Sequence, residues 1–398
     1  MKKRWGIRLI CVCAVAFLIY AGYVPWNNYL DARERVPGVE WVVPLSERYS
    51  HWDNAIRKLE NNLKGFNLQL IIEKNKDDDQ LYEKLCGVKN RQGEIIIPPV
   101  YGRLEIGADQ AYILAENYDT QKYHYYKLDG RDFIEGDFQY ASMFENGYAC
   151  VDKKGNHCVI DTTGKILLKV NCESLNSFDS SRGLFEFEVK DKTYSGDGLG
   201  YAETYRGIID IRGNVVLEPR YDIIERASEN RVLVYYINDD GYQVQSYLDE
   251  NFQRLSKKAY EEATPFNQGV AVVKDTKGWH IINENEEIIA DVPLCQYMYG
   301  FSEGIAVAQF DEELKYLDAT GKVLFTLPYN AFDSKSLPSE MYYYSEGVIV
   351  FPGKDRKVGY MDSKGKILVE PIFNQAYAVE DGEAMVEMYH GKKGVIKI

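Results

Sequence analysis

Residues that commonly build metal centres and catalytic dyads are sparse in this 398-residue chain. There are five histidines (His51, His124, His157, His280, His390) and seven cysteines, scattered singly or in poor spacing. No His or Cys/His grouping has zinc spacing, and no Gly-x-Ser-x-Gly elbow occurs. Gly196-Asp197-Gly198-Leu199-Gly200 lacks the Lys-Ser/Thr of a phosphate loop. The sequence therefore predicts no catalytic set, no metal ligands and no cofactor. Positive charge is also short: 47 Lys and Arg against 61 Asp and Glu give a net charge of -14. Setting aside Lys2, Lys3, Arg4 and Arg8 leaves a body near −18, which repels phosphates and excludes nucleic acid as a partner. Mean hydropathy is -0.38, and a single apolar run is long enough to matter, which excludes a multi-span membrane protein. Proline (12) and tryptophan (5) are few, whereas tyrosine (32) is abundant and favours strands.

The apolar run is Leu9–Trp26, uncharged and preceded by the four basic residues. As a helix it spans about 27 Å, close to a bilayer core. The basic flank predicts a cytoplasmic N-terminus and an extracytoplasmic body, with Tyr20, Tyr23 and Trp26 at the far interface. The alternative is a cleaved signal peptide and a secreted protein, although small residues at −3 and −1 are missing around Ala21-Gly22. The chain then divides into 1–26 (cytoplasmic tip and signal-anchor helix), 27–85 (juxtamembrane stalk or cap) and 86–398. In the stalk, Tyr49, Trp52, Ile56, Leu59 and Leu63 have helical spacing. Asn67–Glu73 reads as a strand and Lys76–Asp79 as a solvated turn.

Five cysteines lie outside the apolar run, an odd and scattered set that is not a disulfide framework. Cys150 and Cys158 flank the turn Lys153–Asn156. A symmetric hairpin is expected to set them opposite each other, either as a cross-strand disulfide or as two buried thiols.

From about residue 86 a two-part pattern recurs. The first part is an apolar strand, an Asp, a Gly three residues later and a second apolar strand, as in Gly207–Pro219 and Gly359–Pro371. Asn90, Asp129, Asp161, Asp249, Asn283 and Asp318 mark weaker copies, and the last is centred on Lys397. Asp can bond its own backbone two residues on, and Gly accepts positive φ. The second part is an aromatic or apolar residue, a polar pair, Gly and an alternating strand: Phe144–Val151, Phe266–Val273, Phe301–Ala308, Tyr344–Val350 and Val379–Val386. Three or four short strands in each 35–40 residues predict an all-β array.

This pattern resembles the WG (KWG) repeats of bacterial proteins over residues 86–398. Pro98–Tyr101, Pro219–Tyr221 and Pro371–Phe373 match the Pro-aromatic element. The Trp-Gly pair is degraded: Gly87, Gly207, Gly359 and Gly394 keep the Gly, while Trp279 keeps the Trp and His280 replaces its Gly. The resemblance implies a repeat scaffold and no reaction. The architecture expected is a β-propeller of about eight blades, with the C-terminal strand Lys392–Ile398 completing the first blade; the alternative is an open β-solenoid or superhelix.

Paired carboxylates such as Glu261-Glu262, Glu286-Glu287 and Asp311–Glu313 have no placement from sequence. Tyrosine clusters offer Tyr125, Tyr126, Tyr236, Tyr299 and Tyr343 as binding candidates, since Tyr serves interfaces and stacks on sugars. The expectation is a membrane-anchored, extracytoplasmic, non-catalytic scaffold binding a protein or peptide, with a basic partner favoured by the acidic surface. The alternative is a carbohydrate-binding or carbohydrate-active envelope protein.

Overall fold

The computed structural model describes residues 39–46, 50–74, 84–107, 112–190, 204–227, 231–328, 341–353, 356–388 and 391–398. The expected anchor at 9–26, the turn at 76–79, the tip at 191–200 and His390 lie outside them. Among the described residues no helix is long and apolar enough to cross a membrane.

The fold is an all-β propeller of eight sheets among the described residues, and every strand pairing in them is antiparallel. Seven of the eight sheets are local meanders of consecutive strands, so their edges do not run along a solenoid. Contacts divide the chain into two compact units. Among the described residues the larger, Ser50–Pro328, holds one α-helix, a short 3-10 helix at Ser180–Arg182 and six sheets. One of these sheets has six strands because Ile95–Ile106 is shared by two successive copies of the repeat.

The repeats form for local reasons. Asp210 shows the first turn: its Oδ1 accepts the amides of Arg212 at 2.9 Å and Asn214 at 2.8 Å, while the Gly213 amide donates to the Asp210 carbonyl. Asn90, Asp161, Asp249, Asn283, Asp318 and Asp362 use Oδ1 in the same way. Asp129 does not. There the turn begins at Lys127, and Asp129 lies inside it, paired with Arg131. The second turn has positive φ at both central residues, for example Asn146 (49°) and Gly147 (86°), the type I′ geometry whose twist suits a hairpin.

Gly207 is forced by contact. A Cβ there would lie 2.6 Å from the Leu217 carbonyl oxygen and 2.9 Å from the Pro219 nitrogen, because the Pro-bearing strand bulges across it. Tyrosines join neighbouring sheets. Tyr125 Oη donates to the Ser142 carbonyl (2.5 Å), Tyr247 Oη to that of Thr264 (2.6 Å) and Tyr360 Oη to that of Tyr377 (2.9 Å). Each is buried, so the hydroxyl needs such a partner.

Two expectations about the ends are corrected. The C-terminal strand Lys393–Lys397 does not complete the first blade. It lies in the last sheet, in the smaller unit, between Glu383–Glu387 and an N-terminal strand, Glu40–Ser46. Val43-Pro44 is the missing Pro-bearing strand of the final copy, and a Cβ on Gly394 would meet the Val43 carbonyl oxygen at 2.8 Å. Glu40–Ser46 and Gln69–Lys74, expected within the stalk or cap, are likewise hydrogen-bonded into sheets of the array. The helix His51–Gly65 (α1) is capped by Ser50, whose Oγ accepts the Asp53 amide at 3.2 Å while the Ser50 amide donates to the Asp53 carboxylate at 2.9 Å. Its Ile56 and Leu63 are buried against Cys86, Val88 and Leu104. Gln69–Lys74 then pairs with Lys84–Lys89 as the outer strand of the first sheet.

Candidate functional site

The sequence candidates do not converge. Tyr125 (0% exposed) and Tyr299 (8%) are core residues, whereas Tyr343 is 47% exposed. Tyr126 is half-buried, with its hydroxyl 2.5 Å from that of Tyr101. Tyr236 is half-buried beside Ser246 Oγ (3.2 Å) and lines a cavity with Arg220 and Arg254. The paired carboxylates are also dispersed: Glu261 and Glu262 both lie within 3.6 Å of Lys274 Nζ, and Glu286 is buried, accepting from Tyr260 Oη at 2.9 Å.

Cys150 and Cys158 do not face each other. With Asp152 opposite His157, Cys150 pairs with Val159 and Cys158 with Val151. This one-residue offset sends the two side chains to opposite faces of the sheet. Both are free and buried, in separate core clusters. Burial pushes the Cys150 thiol up to about 12.

Two histidines at the degraded Gly position of the repeat are held between aspartates. His280, buried, has Nδ1 2.7 Å from Asp291 and Nε2 2.9 Å from Asp275. His124 lies 2.9 Å from Asp137 and 3.0 Å from Asp132. Burial alone would raise the Asp275 carboxyl, but bonds from His280 and the Lys277 amide hold it below its ordinary value. Among the described residues no three His, Cys, Asp or Glu side chains group as a metal cage.

The site that the geometry does assemble is a cleft of about 290 Å³ on the larger unit, where the Tyr112–Asn117 and Tyr123–Lys127 strands meet the Tyr140–Glu145 segment. Tyr123, Tyr140 and Met143 form apolar walls, the two rings meeting edge-to-face at 6.0 Å. Glu105, Glu116 and Glu145 add three carboxylates against one cation, Arg103, which pairs with Glu105. Glu145 is oriented by Ser177 Oγ at 2.9 Å. The floor is closely packed: Phe144 packs on Tyr112 (5.4 Å) and Tyr125 (5.3 Å), and its amide donates to Tyr112 Oη at 2.6 Å. Tyr123 stood in a visible aromatic cluster and Glu145 in a turn motif. Glu116, Tyr140 and Met143 carried no sequence signal of their own.

Comparison with known proteins adds the following. No curated protein matches the sequence. Solved structures similar to this chain include a eukaryotic initiation factor (14% identity, TM-score 0.40, covering 66% of this chain and 76% of that one). They also include dipeptidyl peptidase 4 of Porphyromonas gingivalis (12%, TM-score 0.42, 75% and 57%) and the β-propeller domain of the Trilobed protease of Pyrococcus furiosus (12%, TM-score 0.30, 67% and 96%). Likenesses this distant carry no argument about activity. The profile of the WG containing repeat matches residues 87–105, 128–156, 207–239, 246–279 and 359–392. At five places along its length, then, this chain is built of WG-containing repeats.

Proposed function

We propose that this repeat propeller is a non-catalytic scaffold, tethered to the membrane through residues 9–26 with its body outside the cytoplasm, that binds a protein or peptide through a basic side chain. The acidic, tyrosine-walled cleft carries this reading. A Lys or Arg entering it meets the faces of Tyr123 and Tyr140 and the carboxylates of Glu105, Glu116 and Glu145, combining cation–π attraction with charge pairing. The net negative charge of the whole chain steers such a partner at low salt.

The test is titration of the full-length chain in detergent with a fluorescent Lys/Arg-rich peptide and with an acidic peptide of equal length. Saturable, salt-sensitive binding of the basic peptide that weakens about tenfold in Glu116→Gln is expected. Equal binding of both peptides would remove the proposal. Protease shaving of intact cells tests the location: the body should be cut and a short N-terminal fragment protected.

A further inference from the structure

A second cavity on the larger unit has the opposite character. It has a volume of about 420 Å³, and its lining includes Arg220, Tyr221, Tyr236, Ile237, Asp239 and Arg254. It forms where the repeat is incomplete. The sheet of Ile223–Ala227, Arg231–Ile237 and Gln243–Asp249 has three strands, and in place of a fourth the chain returns irregularly through residues 250–260, bridging the sheet at isolated points such as Leu248 to Arg254 and Gln245 to Tyr260. That return delivers Arg254 to the cavity.

The two guanidinium groups are held by neutral partners. Arg220 Nη2 donates to Tyr221 Oη at 2.9 Å and its Cζ lies 5.1 Å from that ring. Arg254 donates to Tyr236 Oη and, at 3.0 Å, to Ser246 Oγ, with Cζ 5.2 Å from the Tyr236 ring. The two rings meet edge-to-face at 6.1 Å, so the cations flank one aromatic wall. Among the described residues neither arginine has a carboxylate partner, in a chain where acidic residues outnumber basic ones. Ser246 stands at the degraded Gly position of this repeat and is buried, its Oγ donating in turn to the Lys258 carbonyl at 3.0 Å. Arg254 is thereby positioned and still has donors to spare, since a guanidinium carries five.

We infer that this cavity binds a carboxylate borne on a flat apolar or aromatic body. The guanidinium forks match a carboxylate bidentately, and Tyr221, Tyr236 and the 55% exposed Ile237 offer the body an apolar surface. Two arginines less Asp239 leave one net positive charge, which suits a monoanion better than a dianionic phosphate. The ligand is either a free aromatic acid or the carboxylate at the end of a peptide. The inference does not depend on the acidic cleft, and the two readings fail separately.

Calorimetric titration of the full-length chain with benzoate, with N-acetylphenylalanine, with the amide of each and with inorganic phosphate tests it. One carboxylate is expected to bind about tenfold or more tighter than its amide, and the better of the two identifies the source. Arg220→Gln and Arg254→Gln should each abolish that preference. Arg220→Gln should leave the thermal unfolding curve in place and so serves if Arg254→Gln unsettles the fold. Binding of neither acid, equal binding of acid and amide, tighter binding of inorganic phosphate, or full binding by Arg220→Gln would each overturn the inference.

Discussion

The acidic cleft and the arginine cavity are both walled by tyrosines from successive sheets of the larger unit, yet one gathers three carboxylates and the other two guanidinium groups with no carboxylate partner among the described residues. Their scaffolds explain the difference. The cleft lies over a tightly packed floor of Tyr112, Tyr125 and Phe144, between the six-stranded sheet, whose regular strands supply Arg103, Glu105 and Glu116, and the four-stranded sheet that follows, with Glu145 added from a turn. The arginine cavity lies beside a three-stranded sheet, and its second arginine arrives on the irregular return that replaces a strand. The repeat supplies the aromatic walls in both places. The polarity is set by positions that the repeat leaves free.

That comparison can be broken most forcefully at the cleft floor. Phe144→Ala removes a buried ring in contact with two tyrosines and should destabilise the chain by about 3–5 kcal/mol in urea unfolding, with cleft binding lost. On the other side, Gly207→Val pushes a branched side chain against the Leu217 carbonyl and Pro219 beneath the Tyr221 strand. It should cost about 1–3 kcal/mol and disturb the arginine cavity first. A destabilisation of less than a few tenths of a kcal/mol by Phe144→Ala would mean that the floor is not packed as described.

Acid affects the turns that both regions share. Asp210 is held below its ordinary 3.8 by bonds from the Asn214 side chain and backbone, and Asp318 by the Thr320 hydroxyl and neighbouring amides. Their folded values are depressed, so their stabilisation is complete above that ordinary value and lost as pH falls through the folded one. Unfolding followed from pH 7 downwards should show loss beginning below about pH 4, and Asp210→Asn should reduce the acid-sensitive part. The smallest effect concerns the thiols. Cys150 and Cys158 should resist iodoacetamide in the native state near pH 7 and form no mutual disulfide under mild oxidation, as read by peptide mass. A Cys150–Cys158 bridge would contradict the register.

Much of the scaffold was legible because turn chemistry is local. Asp210-Ile211-Arg212-Gly213 and Phe144-Glu145-Asn146-Gly147 announce their turns through residues that must bond their own backbone or adopt positive φ. Registers and distant pairings were less legible. Asp129 mimicked the turn residue although Lys127 opens that turn. Cys150 and Cys158 seemed opposed although the hairpin places them one residue apart. Val43-Pro44 is a full Pro-bearing strand, but it lies some 350 residues from Gly394, which it packs against. The candidate tyrosines illustrate the same limit. Tyr125 belongs to a repeated inter-sheet hydrogen bond, whereas Tyr140 and Glu116 matter only because the fold brings them to one cleft.

The central claim is that charge, not aromatic surface alone, sorts what the two regions bind. Its most direct measurement is a crossed titration of wild type, Glu116→Gln with Glu145→Gln, and Arg254→Gln against the Lys/Arg-rich peptide and benzoate. The account predicts that the glutamate pair loses the peptide and keeps benzoate, while Arg254→Gln does the reverse. Both ligands weakening equally in both variants, or neither weakening in either, would contradict it.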